Sequence, residues 1–470
     1  MQGYVCKLLS ATSNRWSCCR FNANNAWIYN NIGTANNNNF FCSFGVSAVS
    51  AFVKIHDMIK IEDLYKVYYM ARANKRRSHD AVAFEVRLES NLDSLFRHIN
   101  ECTYRAHDNY TFISFHPLPR EIFGCEMSVR IIQWYILWRL TPILEDTLID
   151  GLCSNRKGKG IDAAVSKVYA DIMEVSRHYT RDAYIIQWDL QGYYPNADCS
   201  IACCKLQQLV MDRYEGEDKD SLLWMIMITV HANPQRHFYR KSGIEAWSVI
   251  AYAKSILNKP DGQGGVIGFL IWQIAMNLYL NDIDHWLTDE MGLHYTRYAD
   301  DSVIVVQNKE AALTLFPLLR KMYAGVGCTM HPRKFRCQHV NKGMKFLGAH
   351  IKFERIYVDN RVVRNAGVRI RTFNRCRNKF RHLYSFLSTV NSYFGRIKNR
   401  NEFNSVKGLW KLIDEDWHRY VHMDWDRLCV SPNEDCTHHL YFYKRFKNCT
   451  RWKEMKKSSF RKSIRLTPQK

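Results

Sequence analysis

Apolar residues recur at three- and four-residue intervals from residue 61 onward, and that period predicts helices over 63–73 and 88–99. Residues 129–144 are apolar and aromatic on every side, so a buried helix is expected there. A loop signal, Arg156-Lys-Gly-Lys-Gly160, precedes a helical stretch at 162–175, and 183–188 reads as a short apolar strand ending at Asp189. A strongly helical segment, 271–287, follows Gly268. Residues 294–306 then read as strand, tight turn, strand, with Ala299 and Asp300 at the tip, and 343–351 as a second hairpin. Beyond 356 the pattern is helical and basic, with 380–394 as one clear element. Residues 22–39 break this order with nine asparagines in eighteen positions. Asparagine disfavours both helix and strand interiors, so 1–53 is set apart as a leader of loop or disorder. No internal repeat is found.

At 470 residues the chain exceeds what one core usually supports, and two to four lobes are expected. With 47% hydrophobic and 24% charged residues, wholesale disorder is excluded. No apolar run reaches the roughly 18 residues needed to span a bilayer, and no secretory signal is read at the start, so a cytoplasmic protein with reduced thiols is expected. Cys429, Cys436, His438, His439 and Cys449 could be drawn as a zinc site, but their spacing fits no standard ligand pattern, and zinc is not expected. Net charge changes the picture. From 351 to 470 there are 28 Lys/Arg against 11 Asp/Glu, whereas the first 350 residues hold 39 against 34. Positive charge so concentrated predicts a polyanionic partner. Nucleic acid is favoured over membrane, because no lipid anchor or strongly amphipathic basic helix accompanies it.

The candidate chemistry sits at strand ends. Tyr298-Ala299-Asp300-Asp301 lies between two strands, and a charged tip there is unfavourable unless something pairs with it. A divalent cation would do so, and Asp189, ending another strand, is a natural third carboxylate. Three convergent carboxylates suit two-metal phosphoryl chemistry with two Mg2+ ions, Asp189 and Asp300 bridging and Asp301 weaker. The competing reading makes each a turn residue.

These residues carry a resemblance. Asp189-Leu-Gln-Gly-Tyr-Tyr194, Gly268 to Gln273, Tyr298-Ala-Asp-Asp301 and Phe346-Leu-Gly348 stand in the order of the reverse transcriptase palm motifs. The resemblance runs from about 61 to 401. It implies an α+β right-hand polymerase: fingers and N-terminal helices at 54–182, a palm of antiparallel strands plus helices at 183–355, and a basic helical thumb with extension at 356–470. The stretch Ile267-Gly268-Phe-Leu-Ile-Trp-Gln273, continuing to Asn281-Asp-Ile-Asp284, is similar to the enzymes of diversity-generating retroelements. Departures are Trp272, where the family has Ser before the glutamine, and Gln133-Trp134, where a tandem His is expected after Arg130. The bulk of Trp272 bears on template positioning.

The resemblance implies RNA-directed DNA synthesis from dNTPs on a template RNA with a DNA primer, and a small basic accessory protein. It places Tyr194 where an aromatic excludes the ribose 2′-hydroxyl, a core aromatic being the competing reading. Arg156 and Lys159, in a glycine-punctuated loop, are candidates for the triphosphate, with Arg130 and Arg120 behind them. Gly268 and Gln273 would shape the floor beneath the template base pair, and Phe346, Leu347 and Gly348 would grip the primer end. Lys334 is a candidate general acid for the leaving pyrophosphate, or a surface lysine. The leader reads as translated template repeat, or alternatively as a native asparagine-rich tail. Rival readings of the whole are a retron- or defence-type reverse transcriptase and a catalytically dead RNA-binding relic.

Overall fold

The computed structural model describes residues 59–436, apart from 74, 77, 106–108, 116–117, 233–235, 237 and 401, together with the short strands Arg20–Phe21 and Trp27–Ile28, which pair antiparallel. The rest of the leader lies outside the described residues, as do 437–470 with His438, His439 and Cys449.

Three helices open the described chain: α1 (Ile61–Arg72), α2 (His79–Glu85) and α3 (Leu88–Asn100). Leu64, Val67, Tyr68 and Ala71 make one buried stripe on α1, the i, i+3, i+4, i+7 spacing of an amphipathic helix. A hairpin the helical pattern gave no hint of follows, β1 (Asn109–Ser114) with β2 (Arg120–Gly124). Next comes α4 (Met127–Thr147), buried along much of its length through Val129, Ile131, Ile132, Tyr135, Ile136 and Leu140. Arg139 on α4 joins two carboxylates, donating to Asp63 of α1 at 2.8 Å and to Asp218 at 2.8 Å.

Then follow α5 (Ile161–Val175), β3 (Tyr184–Trp188), α6 (Cys199–Arg213), α7 (Lys219–Val230) and β4 (Phe238–Arg240). β4 joins β1 in parallel, giving a three-stranded sheet in the order β2-β1-β4. The segment 271–287 is not one helix. It is α8 (Leu270–Tyr279) and α9 (Asn281–His285), separated by Leu280 at φ −109, ψ 6, and it runs out in a π-turn at Trp286–Glu290.

The central sheet is built from β3, β5 (His294–Tyr298), β6 (Asp301–Val306) and β7 (Arg336–His339), with α10 (Lys309–Gly325) between the last two. Its order is β5-β6-β3-β7 and every pairing is antiparallel. Both faces are covered. Ile186, Trp188, Ile304 and Val306 join the large core that contains α8, whereas Ile185, Val303 and Val305 alternate to the other face. There they meet Ala164, Val165, Val168 and Ile172 of α5. So α5 packs on the central sheet; its period predicts a helix but not its partner.

A second small sheet comprises β8 (Met344–Phe346), β9 (Ala349–Ile351) and β10 (Ile356–Val358). The C-terminal lobe has its own core around α11 (Asn360–Asn374), α12 (Lys379–Lys398), α13 (Phe403–Trp410) and α14 (Glu415–His418). Trp417 stacks on Phe386 there, ring centroids 4.0 Å apart. This lobe is not wholly helical, because it ends in a hairpin of β11 (Val421–Asp424) and β12 (Cys429–Pro432). Alternation over only four residues, buried at Val421 and Met423, is too short to outweigh the helical pattern before it.

One glycine lets the chain ahead of α8 approach β2 closely. Gly268 has φ +116, and a Cβ there would stand 2.0 Å from the carbonyl oxygen of Phe123 on β2. The adjacent Ile267 carbonyl accepts from Phe123 N–H at 2.9 Å. Gly268→Ala should therefore destabilise by about 1–3 kcal/mol from backbone strain alone. Gly408→Ala, exposed and with open space at its Cβ, should instead stabilise α13 by about 0.5–1 kcal/mol. Denaturant unfolding of the two variants checks both signs, and equal effects would contradict the close approach.

Candidate active site

Strand register brings the carboxylates together. Trp188 pairs with Ser302 and Tyr298 with Asp301, so Asp189, one residue past Trp188, comes level with Asp301 on the neighbouring strand. Asp300 stands in the turn between β5 and β6, after Ala299 at φ +56. The crowding appears in their proton affinities. Burial first, then Asp189, raises the pKa of Asp300. Asp301 is pushed up to about 7 by burial, then by Asp300 and Asp189. Lys334 answers part of that charge by forming an ion pair with Asp189. Burial pulls the Lys334 pKa down, but Asp189, Asp301 and Asp300 carry the net shift upward. The Lys334 turn is held alongside by His331 N–H donating to the Asp189 carbonyl at 2.8 Å.

These donors are all carboxylate oxygens, the hard ligands that Mg2+ and similar cations take. Among the described residues no three His, Cys, Asp or Glu side chains are grouped closely enough to hold a metal ion as they stand, and Asp189 is turned to Lys334. An open set still fits Mg2+, which is usually held by one or two carboxylates together with substrate phosphates.

The other sequence candidates divide. Tyr194 lies beside the carboxylates, its pKa raised to about 12 by burial and then Asp300, while Arg297, Asn155 and Arg120 pull it back. Arg120 begins β2 and is exposed. Arg156 is turned inward with all five donors engaged, on the Glu145 side chain and on the carbonyls of Glu145, Ile149 and Leu152. A guanidinium so occupied closes the end of α4. Lys159 holds Asp150, donating to its carbonyl and carboxylate at 2.6 Å. Arg130 lies by Tyr110 and Cys125 near the β1–β2 sheet. Gln273 is half-exposed where its neighbours on α8 are buried. Trp272 is fully buried, packed under Gly265, whose N–H donates to the Tyr194 carbonyl at 2.7 Å. It backs the Tyr194 turn instead of standing in the cleft. Phe346 is also buried, leaving Leu347 and Gly348, both at positive φ, as the tip of a two-residue hairpin turn. The Gly348 carbonyl accepts from Asp359 N–H at 2.9 Å, just ahead of α11.

Sequence reasoning missed the support beneath the turn. Arg297 and Asp284 form an ion pair with both side chains 0% exposed. Gln133, noted only as a departure, accepts from Leu270 N–H at 2.6 Å and so caps α8. A lone arginine in a strand buried on both faces was the available signal, since such a charge requires a partner.

Asp301 sets a sign for stability in metal-free protein. Its pKa in the fold lies above the ordinary carboxylate value, so the folded state holds the proton more tightly than the unfolded one. The stability this contributes is lost as pH rises from roughly 4 through 7. Asp301→Asn should therefore melt higher than wild type at about pH 8 in chelator, the two converging near pH 4. Thermal melts across pH check it; a variant less stable at about pH 8 would contradict the assignment.

Residues 119–351 match the family model for reverse transcriptase (RNA-dependent DNA polymerase). No curated protein matches the chain. Two solved structures to which it is similar are telomerases. One is the apo enzyme of Candida tropicalis truncated from the C-terminal domain, at 11% identity and TM-score 0.37, covering 54% of this chain and 55% of that one. The other is the Candida albicans enzyme in complex with a fragment of telomeric RNA, at 11% identity and TM-score 0.35, covering 75% and 64%. The chain thus spans between about half and two thirds of those proteins' lengths. With an antiparallel central sheet, helices on both its faces and the Asp300–Asp301 turn inside the span that matches the reverse transcriptase model, the fold is that of an α+β right-hand polymerase.

Proposed function

We propose that the protein copies a template RNA into DNA by extending a DNA primer, with Asp189, Asp300 and Asp301 as the metal-holding catalytic carboxylates. The observation that carries this reading is the convergence of those three side chains at the ends of adjacent strands, with Asp300 and Asp301 raised in pKa by burial and by one another's charge. Two Mg2+ ions held there would activate the primer hydroxyl and stabilise the leaving oxygens. The protein's own part is orientation. Tyr194 stands beside Asp300, where its ring would meet the sugar edge of an incoming nucleotide. Lys334 holds a proton among the carboxylates and is the group available to protonate pyrophosphate. Arg120, near Asp300 and Tyr194, is the better candidate for the triphosphate now that Arg156 is occupied. The basic lobe from 356 onward would hold the template–primer duplex through its phosphates.

The finer setting is mutagenic retrohoming of a diversity-generating retroelement in the cytoplasm, with a structured template RNA and a small basic accessory protein. Its support is the stretch from Ile267 to Asp284 and the asparagine-rich leader.

Primer extension with dNTPs on an RNA template, wild type against Asp300→Asn/Asp301→Asn, tests the reaction. Incorporation should depend on Mg2+ and fall to background in the double variant. A wild type that binds RNA yet incorporates nothing, even with accessory protein and cognate RNA, would return the reading to an RNA-binding relic. Product errors concentrated opposite template adenines would support the retroelement setting, and an even spread would overturn it. Tyr194→Ala should admit ribonucleotides, and unchanged discrimination would remove that role.

A further inference from the structure

Ala299, the residue before Asp300, has a backbone conformation that non-glycine residues seldom adopt, φ +56. Both of its backbone polar groups are held by side chains. Its N–H donates to Ser154 Oγ at 3.1 Å, and its carbonyl accepts from Arg297 Nη1 at 3.2 Å. Each of those side chains is itself fixed. Ser154 Oγ donates to Asn277 Oδ1 at 3.1 Å, and Asn277 Nδ2 donates back to the Ser154 carbonyl at 2.9 Å. Arg297 Nε donates to Asp284 Oδ1 at 2.8 Å and Nη2 to the Asn277 carbonyl at 2.9 Å. Asp284 Oδ1 also accepts from Tyr295 Oη at 3.0 Å. Even the Arg297 backbone is held, its N–H by the Gly151 carbonyl and its carbonyl by Cys153 N–H, each at 3.0 Å. The loop at 151–154, α8, α9 and β5 thus converge on one strained alanine.

We infer that the buried Arg297–Asp284 pair, acting with Ser154, is a positioning device that holds Ala299 and thereby aims Asp300 and Asp301. The inference rests on reading those carboxylates as a polymerase site. Stability alone does not account for the pair, because replacing a buried ion pair by apolar residues of similar volume is often neutral or stabilising. What an apolar replacement would remove is the donor to the Ala299 carbonyl. Neither Arg297 nor Asp284 reaches substrate, since both are sealed from solvent; they act through the turn.

The test compares Arg297→Met/Asp284→Leu and Ser154→Ala with wild type in primer extension, with melting temperature and template–primer affinity measured alongside. For the double variant the expected result is a near-wild-type melting temperature and affinity with kcat lower by about 100-fold, the scale of a 1 Å misplacement. KM for dNTP should stay within about threefold, so that the loss lies in kcat. The Mg2+ concentration for half-maximal rate should rise. If the double variant does not fold, Ser154→Ala decides, with an expected fall in kcat of about tenfold from one lost contact to the turn at unchanged melting temperature. A folded variant with wild-type kcat and wild-type Mg2+ requirement overturns the inference while leaving the polymerase reading intact. A wild type without activity sinks the reading and the inference together.

Discussion

Three carboxylates in partly buried positions repel one another, and most of the palm can be understood as what holds them in place. Desolvation and mutual charge together raise Asp301 to about 7, so the arrangement is unfavourable on its own terms. Lys334 relieves it from the solvent side through Asp189. From the core side, β3 and β6 fix where Asp189 and Asp301 begin, and Arg297 and Ser154 hold the turn between. A divalent cation bound there would answer the same charge that Lys334 answers in part.

The N-terminal helices share one continuous core with the sheet, and a few polar ties add to that packing, each with a local physical reason. Gly268 lets the chain pass against the Phe123 carbonyl, which no side-chain-bearing residue could do at that distance. Gln133 then supplies an acceptor to the first turn of α8, the helix that carries Asn277 beneath Arg297. The basic lobe has a separate core and meets the palm where Asp359 N–H reaches Gly348. A further tie comes from Asn399 and Arg400, which bond Asp162 of α5.

What could be read from the sequence follows a pattern in the residues. The strand ends and turn that carry Asp189, Asp300 and Asp301 are legible because each residue ends or turns an apolar strand, a local signal. The long helices were legible from their period, though 271–287 is broken at Leu280, a break the period does not mark. The partners of Arg156, the Glu145 side chain and three carbonyls, are not legible in sequence, because they are fixed by how α4 ends and not by the glycines beside it. Trp272 and Phe346 were placed at the working surface by motif position, yet each points into a core. Arg297 and Asp284 went unread because each alone looks like an ordinary charge, and only the packing of β5 against α9 makes them one unit.

The most direct measurement is anomalous scattering from Mn2+ in crystals of the protein with RNA template, a chain-terminated DNA primer and the next dNTP. Metal between Asp189 and Asp300, with Lys334 released from Asp189 and the Ala299 turn still held by Arg297 and Ser154, is the result this account predicts. Metal elsewhere, or a nucleotide bound with Lys334 still paired to Asp189, would contradict it.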